Sequence, residues 1–144
     1  MEYVIKKTDD LSPAELVQVF QMRTKVFVVE QSCPYQEVDE LDFEAIHIIF
    51  KDNEKIVAYL RVIEVDNVIH IGRVLVDPNY RRHSYGKKIV AYAIDYVKEN
   101  LETNKIIISA QSRLIDFYSA FGFNAISEVY LEDDIPHIDM ELKL

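Results

Sequence analysis

Five basic side chains lie within eight residues of one another in this otherwise acidic chain: Arg81, Arg82, His83, Lys87 and Lys88. They follow an apolar segment that ends at Val76, and they precede an amphipathic segment that begins near Gly86. This order predicts a strand, a basic loop and a helix. The free N–H groups of a first helical turn and the positive end of the helix dipole attract anions. The pattern therefore predicts an anion site, and the basic side chains favour phosphate.

The rest of the sequence argues against several kinds of phosphate site and of partner. The motifs GxxxxGK[ST] and GxGxxG are both absent, so the loop is neither a P-loop nor a Rossmann fingerprint. A net charge of −9 argues against a general nucleic-acid-binding protein, which would need a broad basic face. No apolar run approaches the roughly 20 residues that span a bilayer, and the first residues lack the pattern of a signal peptide. We therefore expect a cytoplasmic protein with neither nucleic acid nor membrane as its partner.

Cysteine and histidine usage bears on metals and on covalent chemistry. Cys33 is the only cysteine, which excludes an intrachain disulfide and makes a cysteine-based zinc site unfavourable. No HxH or HExxH spacing occurs, so no metal site is expected. Cys33 could in principle accept an acyl group, but no neighbouring His/Asp arrangement supports that role. We interpret Cys33 as a half-buried thiol.

The elements that would position the basic loop can be predicted from periodicity and capping. A length of 144 residues predicts one domain, 1–144. Ser12, Pro13 and Glu15 form a helix start with a capping box, and residues 31–42 form a loop. The predicted strands are 3–6, 45–50, 55–64, 67–76, 105–110, 124–130 and 137–142, with helices after residue 12, after the basic loop and over 114–121, the last closed by Gly122. The continuous apolar run 105–110 predicts a strand buried on both faces. This order indicates an α/β (α+β) fold with a mixed, mostly antiparallel sheet of six to seven strands and helices on both faces.

Two motifs make the chain resemble a known superfamily. Arg81-x-x-Ser84-x-Gly86 is similar to the acetyl-CoA loop of the GCN5-related N-acetyltransferases (GNAT), although Ser84 stands where the first glycine of that motif usually lies. The segment Phe117-Tyr118-x-x-x-Gly122-Phe123 resembles the helix that follows the fifth strand in that superfamily. Other segments resemble the ElaA-like branch, and together they cover about residues 15–142: Arg23 to Tyr35, Glu37, Asp39 and Asp42, Gly72-Arg73-Val74, Ala110-Gln111, and Glu128 to Met140.

The resemblance implies a set of site residues. Tyr118 would lie beside the coenzyme A sulfur and protonate the leaving thiolate as a general acid, since its phenol ordinarily has a pKa of about 10. A splay between the strands ending near Val76 and Ala110 would admit the pantetheine arm. The residues expected to bind the cofactor are Leu75, Val76, Arg81, Arg82, His83, Ser84, Tyr85, Gly86, Lys87 and Gln111. A side chain at Ser84 disfavours positive φ, so either its hydroxyl donates to a phosphate or affinity is reduced.

The general base is less well defined by the sequence. His70 lies six residues before Val76, near the position where some members place a basic Glu, and an ordinary pKa near 6.5 suits the task. Strand alternation could instead put His70 at a sheet edge as a bystander. Further candidates for the base are Glu37, Asp39, His47 and His137.

The function implied by this resemblance is transfer of an acetyl group from acetyl-CoA to an amine by direct attack. The acceptor would be a small-molecule or peptide amine. A cationic one is favoured if the acids of segments 37–42 and 132–134 line its cleft. The alternative is a non-catalytic acyl-CoA-binding or protein-interaction module on the same scaffold. Members often pair through sheet edges, so a homodimer through the closing strand 137–142 is left open.

Overall fold

The computed structural model describes residues 1–144 and contains one sheet of eight strands. The strands are β1 (Glu2–Lys7), β2 (Ile46–Asp52), β3 (Lys55–Val65), β4 (Val68–Val76), β5 (Lys105–Gln111), β6 (Asn124–Ala125), β7 (Tyr130–Glu132) and β8 (Ile135–Lys143). Their order across the sheet is β1-β2-β3-β4-β5-β8-β6, and β7 pairs with β8. All pairings are antiparallel except that of β4 with β5. The predicted fold class is confirmed, and the two shortest strands raise the strand count to eight.

Helices cover both faces of the sheet. On one face, α1 (Pro13–Arg23) continues without a break into a wider π-helical turn, Thr24–Glu30, and packs Val19 and Val26 into a buried cluster. On the other face, α2 (Tyr85–Asn100) and the short α3 (Ile115–Ser119) pack into the larger core. None of these helices is both long enough and apolar enough to cross a membrane.

Local sequence chemistry explains the boundaries that were predicted. Ser12 Oγ accepts from the Glu15 N–H and Glu15 Oε1 accepts from the Ser12 N–H, so the capping box forms as predicted. The β2–β3 and β3–β4 turns each place two successive residues at positive φ, as two-residue type I′ hairpins require. Gly122 follows α3 at a φ of 100°, where a side chain would be strained.

Two strand predictions differ from the structure. The sequence predicts one strand over 124–130, but this segment forms only β6 and the first residue of β7, because its intervening residues make no ladder. The continuous apolar run 105–110 was predicted to be buried on both faces. In the structure Ile106, Ile108 and Ala110 are buried, whereas Ser109 is exposed. One face of β5 is therefore open, and that face borders the site described next.

Candidate active site

The sheet is split where its only parallel pair should continue. β4 and β5 pair only at Ile69–Ile106 and His70–Ile107, although both strands run on for several more residues. Each strand keeps its other partner over this stretch, since β4 stays paired with β3 and β5 with β8. We call this gap the split. Beyond the paired residues the two facing strand edges have no strand partner across it.

A cavity of about 530 Å³ occupies the split and reaches both faces of the sheet. Ile71, Ile108 and Tyr118 line it and belong to the core on the α2 side. Ser109 and Gln111 alternate with that set along β5 and line the cavity from the opposite face. The cavity can therefore bring together two ligands that approach from opposite faces, as transfer of a group between them would require.

Tyr118 lies in this cavity with its hydroxyl free. The side chain is 6% exposed, and its ring packs edge-on against Phe117 and Phe123 at centroid distances of 4.9 and 6.0 Å. The hydroxyl makes no hydrogen bond within the protein. It is nevertheless not fully buried, since Arg61 Nε is the only fully buried side-chain N or O atom without a partner. The hydroxyl therefore retains access to the cavity. Burial raises the pKa of Tyr118 to about 12, against a smaller opposing effect of Arg113. Tyr118 is therefore a neutral phenol that can donate a proton.

The basic loop, residues 81–87, leads into α2 and lies next to the Tyr118 helix. A methyl group built at Gly86 would lie 3.6 Å from Val76 Cγ2 and 3.8 Å from the ring of Phe117, which itself packs on Tyr118. Ser84 is the N-cap residue of α2 but makes no side-chain capping bond, so the N–H groups of the first turn are not capped. Arg82, His83 and Lys87 are exposed. An uncapped helix start beside exposed basic side chains is suited to binding an anion.

Two loop residues are held in an unusual backbone conformation. Ser84 has φ 62° and Arg82 has φ 70°, in the left-handed region that favours glycine. Ser84 therefore adopts a left-handed conformation that glycine tolerates better than serine, rather than one suited to its side chain.

Arg81 is not free to contact a ligand in this structure. Its Nη1 and Nη2 donate to the Glu30 carboxylate at 2.9 and 2.7 Å, and its Nε donates to the Val76 carbonyl at 3.2 Å. The hydrogen bond from Arg81 lowers the pKa of Glu30, against a smaller opposing effect of burial. Arg81 thus ties the basic loop to the end of the π-helical turn and to the end of β4.

Of the ten predicted cofactor residues, only Gln111 lines the cavity. Leu75 and Val76 lie on the part of β4 that is not paired with β5, and the other seven lie in the basic loop. Leu75 is buried in the cluster beneath α1, and the Val76 side chain packs against the α2 core. The ring of Tyr85 packs near His83 and beneath Lys88 Nζ. Gln111 lines the cavity, donates to Gln31 Oε1 at 3.3 Å and accepts from Arg113 Nε at 3.2 Å.

Among the candidate bases, His70 alone has no hydrogen-bond partner in the protein. It is half-buried on β4 and lines the cavity. Burial lowers its pKa, against the opposing charge of Asp139. This lowering favours the neutral imidazole that a base requires.

The other candidate bases are engaged within the protein. His137 Nδ1 lies 2.7 Å from the Ile135 carbonyl, and His47 is fully buried between Thr8 and Tyr59. Glu37 and Asp39 are both held in ion pairs.

Three arginines and three carboxylates pair with one another beside the cavity, and we call them the ion-pair cluster. Its members are Arg23, Glu37, Asp39, Asp42, Arg61 and Arg73. Arg23, Glu37, Asp42 and Arg61 are buried, and Asp39, Arg61 and Arg73 line the cavity. Arg23 is 0% exposed, and its guanidinium donates to the carboxylates of Glu37 and Asp42 at 2.6 to 3.0 Å. Burial alone would raise the pKa of Asp42, but Arg23 and the Asp39 N–H lower it to about 2.

The ion-pair cluster also holds a bulge at the edge of the split. Arg73 and Val74 together lie opposite the single residue Leu60, and Arg73 has φ 53° although it is not glycine. Its guanidinium forms an ion pair with the Glu37 carboxylate and donates to the Glu37 carbonyl at 2.8 Å. These bonds fix the local bend of β4. The sequence marks five of these residues as points of resemblance, and Glu37 and Asp39 also as candidate bases. It does not indicate that they pair with one another or with Arg61, because the pairings span 14 to 36 residues along the chain.

Comparisons with known proteins identify the family of this chain. A family model described as the acetyltransferase (GNAT) domain matches residues 8–144. A UPF0039 protein of Schizosaccharomyces pombe is 41% identical over 147 residues, covering 100% of this chain and 98% of that protein. The ElaA protein of Escherichia coli is 37% identical over 136 residues, covering 91% of this chain and 89% of its own. The chain therefore belongs to the GNAT acetyltransferase superfamily and, within it, to the ElaA-like branch.

Solved structures give the same result. The crystal structure of Escherichia coli ElaA matches with a TM-score of 0.93 at 35% identity, covering 98% of this chain and 99% of that one. A structure described as an acyl-CoA N-acyltransferase from Pseudomonas aeruginosa matches with a TM-score of 0.91 at 39% identity, over 98% and 99% of the two chains. The resemblance found in the sequence is confirmed over almost its full length.

Proposed function

We propose that this protein transfers an acetyl group from acetyl-CoA to an amine, with Tyr118 as the general acid. The observation that carries the proposal is the free Tyr118 hydroxyl inside a cavity that passes through the split. The Pseudomonas aeruginosa relative, described as an acyl-CoA N-acyltransferase, supports the same class of reaction. The acceptor would enter from the face that carries His70 and Ser109.

The basic loop would bind the pyrophosphate of coenzyme A. The uncapped first turn of α2 offers backbone N–H groups, and the exposed Arg82, His83 and Lys87 add positive charge. The pantetheine arm would then run along the free edge of β4 past Val76 and place the thioester in the split. Leu75 and Val76 would contribute backbone groups to this arm, and Gln111 would contact it from β5.

The chemistry requires two proton movements. Neutral His70 would accept the proton that the amine must lose, and the amine nitrogen would attack the acetyl carbonyl carbon to form a C–N bond. Backbone N–H groups of β4 would stabilise the resulting oxyanion. Collapse of this intermediate breaks the C–S bond, and the departing thiolate takes the Tyr118 proton. The products are the amide and coenzyme A with a free thiol.

The role of Tyr118 can be tested with Tyr118→Phe. We expect kcat to fall about 100-fold or more, because the leaving thiolate loses its proton donor, while the Kd for coenzyme A changes little. Thiol release and isothermal titration measure the two quantities. Tyr96→Phe on α2, outside the cavity, is the matched control and should leave both values unchanged. An unchanged kcat in Tyr118→Phe would remove Tyr118 from this role.

The role of the basic loop can be tested with the double variant Arg82→Ala and Lys87→Ala. We expect weaker coenzyme A binding, with a loss that is larger at low salt because exposed charges are screened at high salt. Lys98→Ala with Lys143→Ala removes the same charge from exposed sites outside the loop, the first of them near the opposite end of α2, and should not change the Kd. Equal effects of both double variants would point to net charge rather than a loop site. Coenzyme A binding by the wild type without thiol release on any amine would favour the non-catalytic alternative.

A further inference from the structure

Three oxygen-bearing side chains form a connected chain on the acceptor face of the cavity. Ser109 on β5 lies directly across from Asp139 on β8 in the strand register, so both side chains project from the same face. The Tyr130 hydroxyl lies between them, 2.5 Å from Ser109 Oγ and 2.6 Å from Asp139 Oδ1. Ser109 is exposed and lines the cavity, whereas Tyr130 and Asp139 are half-buried.

The direction of these hydrogen bonds follows from the available protons. A carboxylate oxygen only accepts, so the single Tyr130 proton is donated to Asp139. The Tyr130 oxygen can then only accept from Ser109, so the Ser109 hydroxyl proton is donated to Tyr130. Burial and the Asp139 hydrogen bond raise the pKa of Tyr130 to about 12, so this proton stays in place. Ser109 Oγ is consequently left with lone pairs and no proton to offer the cavity.

We propose that Ser109 Oγ binds an N–H group of the acceptor amine, and that Tyr130 and Asp139 are positioning residues that keep Ser109 an acceptor. This inference rests on the proposed function, because it assigns the amine a place in the same cavity. His70 pairs with Ile107, two residues before Ser109 on the same face of β5. An amine bound to Ser109 would thus lie beside the proposed base.

The charges around the cavity indicate a cationic amine. Arg61 and Arg73 are the only arginine or lysine side chains that line it, and both are paired with carboxylates of the ion-pair cluster. Glu132 and Asp133 also line the cavity. The Glu132 carboxylate lies 3.4 Å from His137 Nε2, and Asp133 has no ion-pair partner. Asp139 adds a further negative charge behind Ser109. We therefore assign the acceptor to the class of small primary amines that carry an additional positive charge.

The test measures acetyl transfer from acetyl-CoA to cationic, neutral and anionic primary amines. For Ser109→Ala we expect the amine KM to rise about tenfold, as loss of a hydrogen bond to a charged or polar N–H would produce, with the acetyl-CoA KM unchanged. Tyr130→Phe should raise the amine KM in the same way, because Ser109 then regains a free proton. Ser109→Thr keeps the hydroxyl and should restore the wild-type KM. Ser119→Ala, exposed on α3 and outside the cavity, is the matched control.

The outcomes separate the inference from the proposed function. Turnover by the wild type with an unchanged amine KM in Ser109→Ala, or faster use of anionic than cationic amines, would overturn the inference and leave the proposed function standing. Absence of turnover by the wild type with every amine would overturn both. A rise in the acetyl-CoA KM as large as that in the amine KM would show a general distortion of the split, and it would also overturn the assignment of Ser109 to the amine.

Discussion

Two regions of this molecule concentrate arginine, and they use it in opposite ways. In the ion-pair cluster every guanidinium is held by carboxylates, and Arg23 is completely buried. In the basic loop Arg82 and Lys87 are exposed, and only Arg81 has an acidic partner. The charges of the cluster are paired with one another, so the cluster serves to fix the local backbone geometry. The loop has left its charges unsatisfied and so is suited to bind an anion from solution.

The largest expected effect comes from breaking the cluster with Arg23→Ala. The change leaves the carboxylates of Glu37 and Asp42 buried and short of partners, so we expect a loss of about 3–5 kcal/mol in the free energy of unfolding. Arg82→Ala in the basic loop should change it by only about 0.5 kcal/mol or less, because that side chain is exposed. Urea unfolding measures both. Similar losses from the two variants would contradict the distinction between the regions.

An intermediate effect on the free energy of unfolding is expected as the pH is lowered. His47 is fully buried beside the cluster, and burial lowers its pKa to about 4 from an ordinary 6.5. In the folded protein it therefore resists protonation that the unfolded chain accepts. This contribution to stability is complete above about pH 6.5 and is lost as the pH falls towards 4, by roughly 3 kcal/mol in total.

His47→Gln tests this pH dependence, since glutamine does not titrate. The variant should be less stable at pH 7, because the hydrogen bonds with Thr8 and Tyr59 are altered. Its unfolding free energy should also fall less steeply than that of the wild type between pH 6.5 and 4. The exposed His83, changed to Gln, is the matched control. An identical slope in His47→Gln and wild type would exclude His47 as the source.

The smallest expected effect lies in the loop, at Ser84. Because φ is 62° there, Ser84→Gly should relieve about 1 kcal/mol of backbone strain, partly offset by the greater freedom of glycine in the unfolded chain. The unfolding free energy should therefore rise by less than about 1 kcal/mol, and coenzyme A should bind more tightly because the backbone can approach more closely. Ser84→Ala retains the strain and removes only the hydroxyl. If Ser84→Ala weakens coenzyme A binding and Ser84→Gly does not improve it, the hydroxyl is a phosphate ligand.

The sequence predicts features that depend on residues close together along the chain, and it does not predict those that depend on residues far apart. The basic loop, the Ser12 capping box and the Gly122 helix end are each encoded within a few residues, and capping, turn and periodicity rules apply directly. The ion-pair cluster is encoded by residues up to 36 positions apart, so no local spacing points to it. The hydrogen-bonded chain from Ser109 to Asp139 depends on the β5–β8 register, which the hydrophobic pattern does not supply. The burial of only one face of β5 was missed because a run of three isoleucines masks the alternation.

The short β4–β5 ladder has a consequence for how occupancy of the site could be observed. Past His70 and Ile107, backbone amides that face the split have no strand partner across it, although the strands around them are well paired. Amide protons without a partner exchange with deuterated water far faster than those of a closed ladder. These few amides at the centre of the sheet would therefore exchange quickly in the free protein. A ligand that shields these amides or accepts hydrogen bonds from them would slow that exchange. Slower exchange at these positions would therefore indicate that the site is occupied.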